Sequence, residues 1–189
     1  MSPSLPRVVL VPLKRFDAAK SRLRDAFSDD EVVELTIRLA AAVLDAARPL
    51  PTVVVCDDED VADFARRHAA VVFRSRAPDL NGSVHDAYRD LGQYEQVIVV
   101  HGDLRDPEGL GRFDPGPGVT IVTDHRRDGT NVLALPGGLN FRFGYGPGSL
   151  NRHVQEAERL GLSCTVITNS PWRFDVDEPG DLLSGPDGI

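Results

Sequence analysis

The stretch Gln96-Val-Ile-Val-Val-His-Gly-Asp-Leu104 carries the reading of the fold. Its apolar run is too short for an ordinary helix and suits a strand buried on both faces. It stops at Gly102 and Asp103, so a carboxylate is delivered at the strand's carboxyl end. The same pattern recurs on either side. Residues 8–11, 52–56, 70–73, 118–123, 131–135 and 163–167 read as further strands, and 173–176 as a short one. Between them lie segments of helical period. One covers 31–48 behind the capping box Ser28-Asp-Asp-Glu31, and another covers 59–68. A third is capped by Asn81 or Ser83 and runs to about Leu91. A fourth is capped by Ser149 and stopped at Gly161, and a brief terminal helix starts from Glu178. Strands separated by helices of this length predict an α/β fold, a three-layer sandwich with a mostly parallel sheet covered on both faces. Ligands then bind beyond the carboxyl ends of the strands.

The rest of the chain narrows the class. Its 189 residues suit a single domain, 1–189, with 41% hydrophobic and 26% charged residues. These values exclude disordered, collagenous and coiled-coil classes. No apolar run approaches the ~18 residues that span a membrane. Residues 1–6 carry no basic-then-apolar leader, so a cytoplasmic protein is expected. Cys56 and Cys164 are too few for a disulfide framework or a zinc site and read as core thiols. The net charge of −8 argues against a nucleic-acid partner.

Within that acidic chain the cations are unevenly chosen. Of 21 Lys and Arg residues only Lys14 and Lys20 are lysines, and both fall in Val11-Pro-Leu-Lys-Arg-Phe-Asp-Ala-Ala-Lys-Ser-Arg-Leu-Arg24. Residues 14–24 hold five positive side chains and one negative one. Directly after the first strand, this reads as an anion site needing compact ammonium groups. It is not a Walker loop, because the glycine pattern is missing. Asp103 ends a buried strand, and Asp175-Val-Asp177 alternates so that its two carboxylates share a side. Asp103 and Asp175 are therefore the candidate Mg²⁺ ligands, since one or two carboxylates plus substrate phosphates commonly hold that ion. Asp177 and Asp181 read as caps of the last helix. His101 is not needed as a base, because a phosphate nucleophile is already ionised.

These segments resemble the guanylyltransferases of coenzyme F-420 biosynthesis, which act on 2-phospho-L-lactate or phosphoenolpyruvate. The matching motifs are Val11-Pro-Leu-Lys14 with Ala19-Lys20-Ser-Arg22, Leu80-Asn81, His101-Gly-Asp-Leu104, Asp128-Gly-Thr-Asn131, Gly146-Pro-Gly-Ser149 with Arg152-His153, and Asp175-Val-Asp-Glu-Pro. They occur in the family's order. The resemblance implies a nucleotidyltransferase fold of the nucleotide-diphospho-sugar type, with GTP, Mg²⁺ and a small phosphorylated carboxylic acid as partners and no nucleic acid or membrane. It implies Lys14, Lys20 and Arg22 at the phosphates and Asn81 at the base edge. Thr130, Gly146 and Ser149 would lie at the acceptor, with Asp103 and Asp175 at the metal. Free backbone N–H groups at Gly146–Ser149, ahead of a helix, would favour an anion. A homodimer is compatible with all of this. Two departures stand out: Arg105 replaces the usual proline, and Gly144-Tyr145 is inserted into the family's Phe-Gly-Pro-Gly-Ser loop. The alternative readings are a catalytically inactive nucleotide-binding paralog and a nucleotidyltransferase for another phosphorylated acceptor.

Overall fold

In the computed structural model residues 6–183 are described, and the expected domain 1–189 extends beyond them at both ends. The strands are β1 (Arg7–Pro12), β2 (Thr52–Cys56), β3 (Val71–Arg74), β4 (Gln96–Val100), β5 (Val119–Thr123), β6 (Thr130–Pro136) and β7 (Cys164–Ile167). They form one sheet in the order β3-β2-β1-β4-β6-β5-β7. All run parallel except β6, which is antiparallel to both β4 and β5. The helices are α1 (Asp29–Ala46), α2 (Glu59–Arg67), α3 (Leu80–Asp90), α4 (Ser149–Arg159) and α5 (Pro179–Leu183).

The central strands carry uninterrupted apolar runs because each face needs its own partner. Val9, Val11, Val54, Ile98 and Val100 pack with Ala40, Val43 and Leu44 of α1 and with Phe64 of α2. The alternate residues, Val8, Leu10, Val53, Val97 and Val99, pack with Val84 and Tyr88 of α3 and Ala157 of α4. Each buried Val or Leu contributes roughly 1.5–3 kcal/mol relative to exposure. The expected three layers are present. Cys56 is buried in the first core, whereas Cys164 is only half-buried on the edge strand β7.

Local chemistry sets the helix starts. The Ser28/Glu31 capping box opens α1 as expected. Asp79 caps α3 by accepting from the Gly82 N–H at 2.8 Å, so Asn81 and Ser83 fall inside that helix. Ser149 makes no side-chain cap; it is the first residue of α4, after Gly148. The expected strand at 173–176 is instead a 3₁₀ turn, Pro171–Arg173, followed by a single antiparallel bridge between Leu104 and Asp175. Two backbone bonds fix this arm across the end of β4. The Arg105 N–H donates to the Phe174 carbonyl at 2.8 Å, and the Val176 N–H to the Asp103 carbonyl at 3.1 Å. The Arg105 side chain lies 4.4 Å over the Phe174 ring and donates to the Asp181 carbonyl. Arg105→Ala removes a cation–π contact and a charged hydrogen bond, worth together roughly 2–3 kcal/mol. A matching drop in urea-measured stability is the expected result.

Candidate active site

Beyond the carboxyl ends of β1 and β4 lies a cleft of about 410 Å³, whose walls include Lys14, Lys20, His101, Asp103, Tyr145 and Gly146. Gly102 lets β4's end approach β1, since a Cβ there would stand 2.3 Å from the Leu13 side chain. A second cleft of about 240 Å³ adjoins it through Pro12, Leu13, Lys14, Ala18 and Leu80, and reaches Asp57 and Ser83.

Lys20 organises the first cleft. It adopts a left-handed backbone conformation, φ 59°, which directs it inward from the turn before Ser21–Asp25. Its side chain is 5% exposed and pairs with Asp103 and, at 3.0 Å, with Asp177. Burial disfavours the ammonium, but the two carboxylates outweigh burial and hold its pKa above the ordinary lysine value. Burial likewise opposes ionised Asp103, and Lys20 outweighs it, so that carboxyl titrates below the usual range. Asp175 faces the opposite balance. Its burial and the charges of Asp103 and Asp177 push it up, against hydrogen bonds from its own backbone N–H and from Asn131 Nδ2 at 3.3 Å. Val176, between the two aspartates, is buried against Leu23, Val32 and Leu35. Of the two aspartates, only Asp177 lines the cleft. Asp181 caps the last turn, accepting from the Asp177 and Glu178 N–H groups, but Asp177 itself serves Lys20.

The other cations of the basic segment are largely neutralised. Arg15 pairs with Asp17, Arg24 with Asp29, and Arg22 reaches outward to Glu178 at 3.3 Å. Lys14 stays exposed at the junction of the two clefts. The segment is thus less of an open anion site than its composition implies.

The acceptor-side motif is bound up in structure. Asp128 caps α4 from a distance, accepting from the Gly148 N–H at 2.7 Å, and the Leu150 N–H donates to its carbonyl. The Ser149 N–H is taken by the Gly146 carbonyl. Of the N–H groups expected to be free for an anion, those of Gly148 and Ser149 are therefore engaged. Thr130 and Ser149 are both buried and line neither cleft. Gly146 does line it, in a left-handed conformation, φ 110°, that a side chain would strain. Asn81 lines neither cleft. Its amide is committed to Tyr145, accepting from the Tyr145 N–H at 2.6 Å and donating to its carbonyl at 3.4 Å.

His153, on α4, is fully buried. Its Nε2 accepts from the Gly144 N–H at 3.0 Å, so Nδ1 carries the proton and donates to Thr130 Oγ1 at 3.0 Å. Burial, helped by the charges of His101 and Arg152, pushes its pKa down to about 4. A folded value below the unfolded one, near 6.5, means stability that is complete above pH 6.5 and lost as pH falls through 4. That loss amounts to roughly 3 kcal/mol. Urea midpoints at pH 7 and pH 4.5 should show most of this loss in the wild type and much less of it in His153→Gln.

The profile of the family described as Guanylyl transferase CofC like matches residues 7–184. The chain belongs to the CofC-like guanylyl transferase family. Phosphoenolpyruvate guanylyltransferase of Roseiflexus castenholzii is 30% identical, covering 92% of this chain and 85% of that protein. 2-Phospho-L-lactate guanylyltransferase of Archaeoglobus fulgidus is 32% identical, covering 93% and 81%. A solved nucleotidyl transferase from Methanothermobacter has the same fold, with TM-score 0.64, 17% identity and 95% of both chains covered.

In this CofC-like transferase, Lys14, Lys20, Asp103 and Gly146 stand on the cleft, whereas Asp175 does not line it and pairs by a backbone bridge with Leu104, the residue after Asp103. Arg22, Asn81, Thr130 and Ser149 do not line it. Sequence reasoning missed the task of Asp177 and the burial of His153. The second was legible, because Leu150, His153, Val154 and Ala157 recur at helical spacing. Trp172 packs edge-to-face on Phe113.

Proposed function

We propose that this chain transfers GMP from GTP to a small phosphorylated carboxylic acid, phosphoenolpyruvate or 2-phospho-L-lactate, as a cytoplasmic step in coenzyme F-420 biosynthesis. The observation that carries the reading is the Asp103–Lys20–Asp177 cluster at the carboxyl end of β4, beside a cleft, in a member of this family. An oxygen of the acceptor's phosphate attacks the α-phosphorus of GTP, the bond to the β-phosphate bridging oxygen breaks, and pyrophosphate leaves with that electron pair. Lys14, exposed at the junction of the two clefts, meets the triphosphate. Lys20 offsets negative charge beside Asp103. Arg22 joins the phosphates only by leaving Glu178. The guanine base occupies the adjoining cleft, and Asn81 supports the wall between loop and helix rather than reading the base.

The donor set suits Mg²⁺. Among the described residues no ready-made group of three His, Cys, Asp or Glu ligands stands together. Mg²⁺ does not require one, since it is commonly held by one or two carboxylates and the substrate phosphates. Asp103 Oδ1 is buried without a hydrogen-bond partner, a hard oxygen donor left over after Lys20 is satisfied. Asp103 and Asp175 would hold the ion, and when bound it would neutralise charge on the phosphates. Thr130 and Ser149 act on the acceptor through the loop they anchor, with Gly146 at the wall. Pyrophosphate release from GTP with a panel of phospho-acids tests the reading. Release with at least one three-carbon phospho-acid is expected. GTP binding without release from any acid would favour the inactive paralog.

A further inference from the structure

Two polar atoms beside the cleft are unexplained by anything above. Tyr145 Oη and His101 Nε2 are both buried and have no hydrogen-bond partner. Both residues line the cleft, their rings lie 5.1 Å apart, and His101 stands two positions along the chain from Asp103. An unmet buried polar group costs about as much as a broken hydrogen bond, so a pair of them on a cleft wall needs a reason.

Tyr145 is also held firmly. Asn81 brackets its backbone from both sides, Phe143 stacks parallel to its ring at 6.2 Å, and His153 meets its edge at 4.8 Å. Only 7% of the residue is exposed. Burial pushes the phenol's pKa upward, so it stays a protonated donor at neutral pH. Tyr145 comes from the two-residue insertion in the loop before α4. The acceptor groups expected nearby, the Ser149 N–H and the Thr130 hydroxyl, are already engaged.

We propose that Tyr145 Oη and His101 Nε2 receive the carboxylate of the phospho-acid, making Tyr145 the residue that sets which acceptors fit. The inference rests on the guanylyltransferase reading. The acceptor's phosphate must lie at Asp103 to attack GTP, and the wall then runs through Gly102 and His101 to Tyr145, where the acid's other end arrives. Tyr145 supplies a rigid donor and a bulky ring, so the acceptor is short and carries its carboxylate close to its phosphate.

The test is steady-state kinetics of Tyr145→Phe with GTP and each phospho-acid. The expected result is a KM for the acid raised about tenfold, with kcat and the KM for GTP within about twofold, the signature of lost acceptor binding. Competitive inhibition separates the carboxylate from the phosphate: the variant should bind phosphoglycolate about tenfold more weakly, and ethyl phosphate, which lacks the carboxylate, as wild type does. If Tyr145→Phe fails to fold, His101→Asn carries the same comparison. An unchanged KM for the acid, or equal weakening of both inhibitors, overturns the assignment while the guanylyltransferase reading stands. A wild type that releases pyrophosphate with no phospho-acid overturns both.

Discussion

Asp103→Asn lowers kcat by about 10²–10³ while GTP still binds, the scale set by losing one preorganised electrostatic element. The substitution keeps the shape of the side chain and removes its charge. Asp103 is the acid at the end of β4, its Oδ2 is bonded to Lys20, and its Oδ1 is a spare buried oxygen. The asparagine amide places a donor N–H where an acceptor oxygen stood, against either the ammonium or the cation. The backbone bond from Val176 to the Asp103 carbonyl is untouched, so the arm stays docked. Pyrophosphate release gives the rate, and a nucleotide titration gives binding. A variant with more than a tenth of wild-type kcat would remove Asp103 from the chemistry.

Lys20→Ala strikes both stability and turnover. It leaves Asp103, Asp175 and Asp177 with no cation between them, and breaking a buried pair in this way costs about 3–5 kcal/mol. The sign of the pH dependence follows from the shifts. Lys20 titrates above its ordinary value, so its contribution is complete below the unfolded lysine pKa and lost as pH rises through the folded one. Asp103 titrates below its ordinary value, so its contribution is present above the unfolded aspartate pKa and lost as pH falls through the folded one. The wild-type benefit therefore spans the neutral range, roughly pH 4 to 10. Urea unfolding in EDTA should show the largest deficit of Lys20→Ala inside that window, shrinking toward acid as the three carboxyls protonate. Lys20→Arg should recover only part of it, because a planar guanidinium does not fit a socket that leaves the lysine side chain 5% exposed between two acids. Equal deficits at pH 7 and pH 3.5 would contradict the account.

The fold was legible where burial on both faces leaves uninterrupted apolar runs. Thr52–Cys56 and Gln96–Val100 were delimited to the residue because Pro51 and Asp57 bound the first and Glu95 and His101 the second. The direction of β6 was not legible, since a fully buried strand presents the same apolar sequence whichever way it runs. The arm at 173–176 was misread as a strand because Phe174 and Val176 alternate with polar residues. Pro171 and the crossing over β4 reduce it to one bridge. At the site, the scarcity of lysine in an arginine-rich chain drew attention to Lys20, but its pairing with Asp103 and Asp177, rather than an open anion site, lies in contacts across 83 and 157 residues. The capping of α4 by Asp128 could not be read locally, since 20 residues separate donor and acceptor. Asn81 and Thr130 were recognisable as motif residues, but their tasks lie in contacts that only the folded chain creates.

The Lys20 cluster has one more consequence, in the order in which the chain is made. Lys20 meets Asp103 across 83 residues and Asp177 across 157. At about 5–20 residues per second, the ribosome leaves Lys20 waiting roughly 10–30 s for its second carboxylate. Through that interval β1 to β4 can assemble while the cluster is incomplete. The nascent chain therefore acquires its sheet before it acquires its charge balance. A chain stopped before Asp177 would carry β1 to β7 with a half-paired lysine in the cleft, which makes a late stall costlier to this protein than its position near the end suggests.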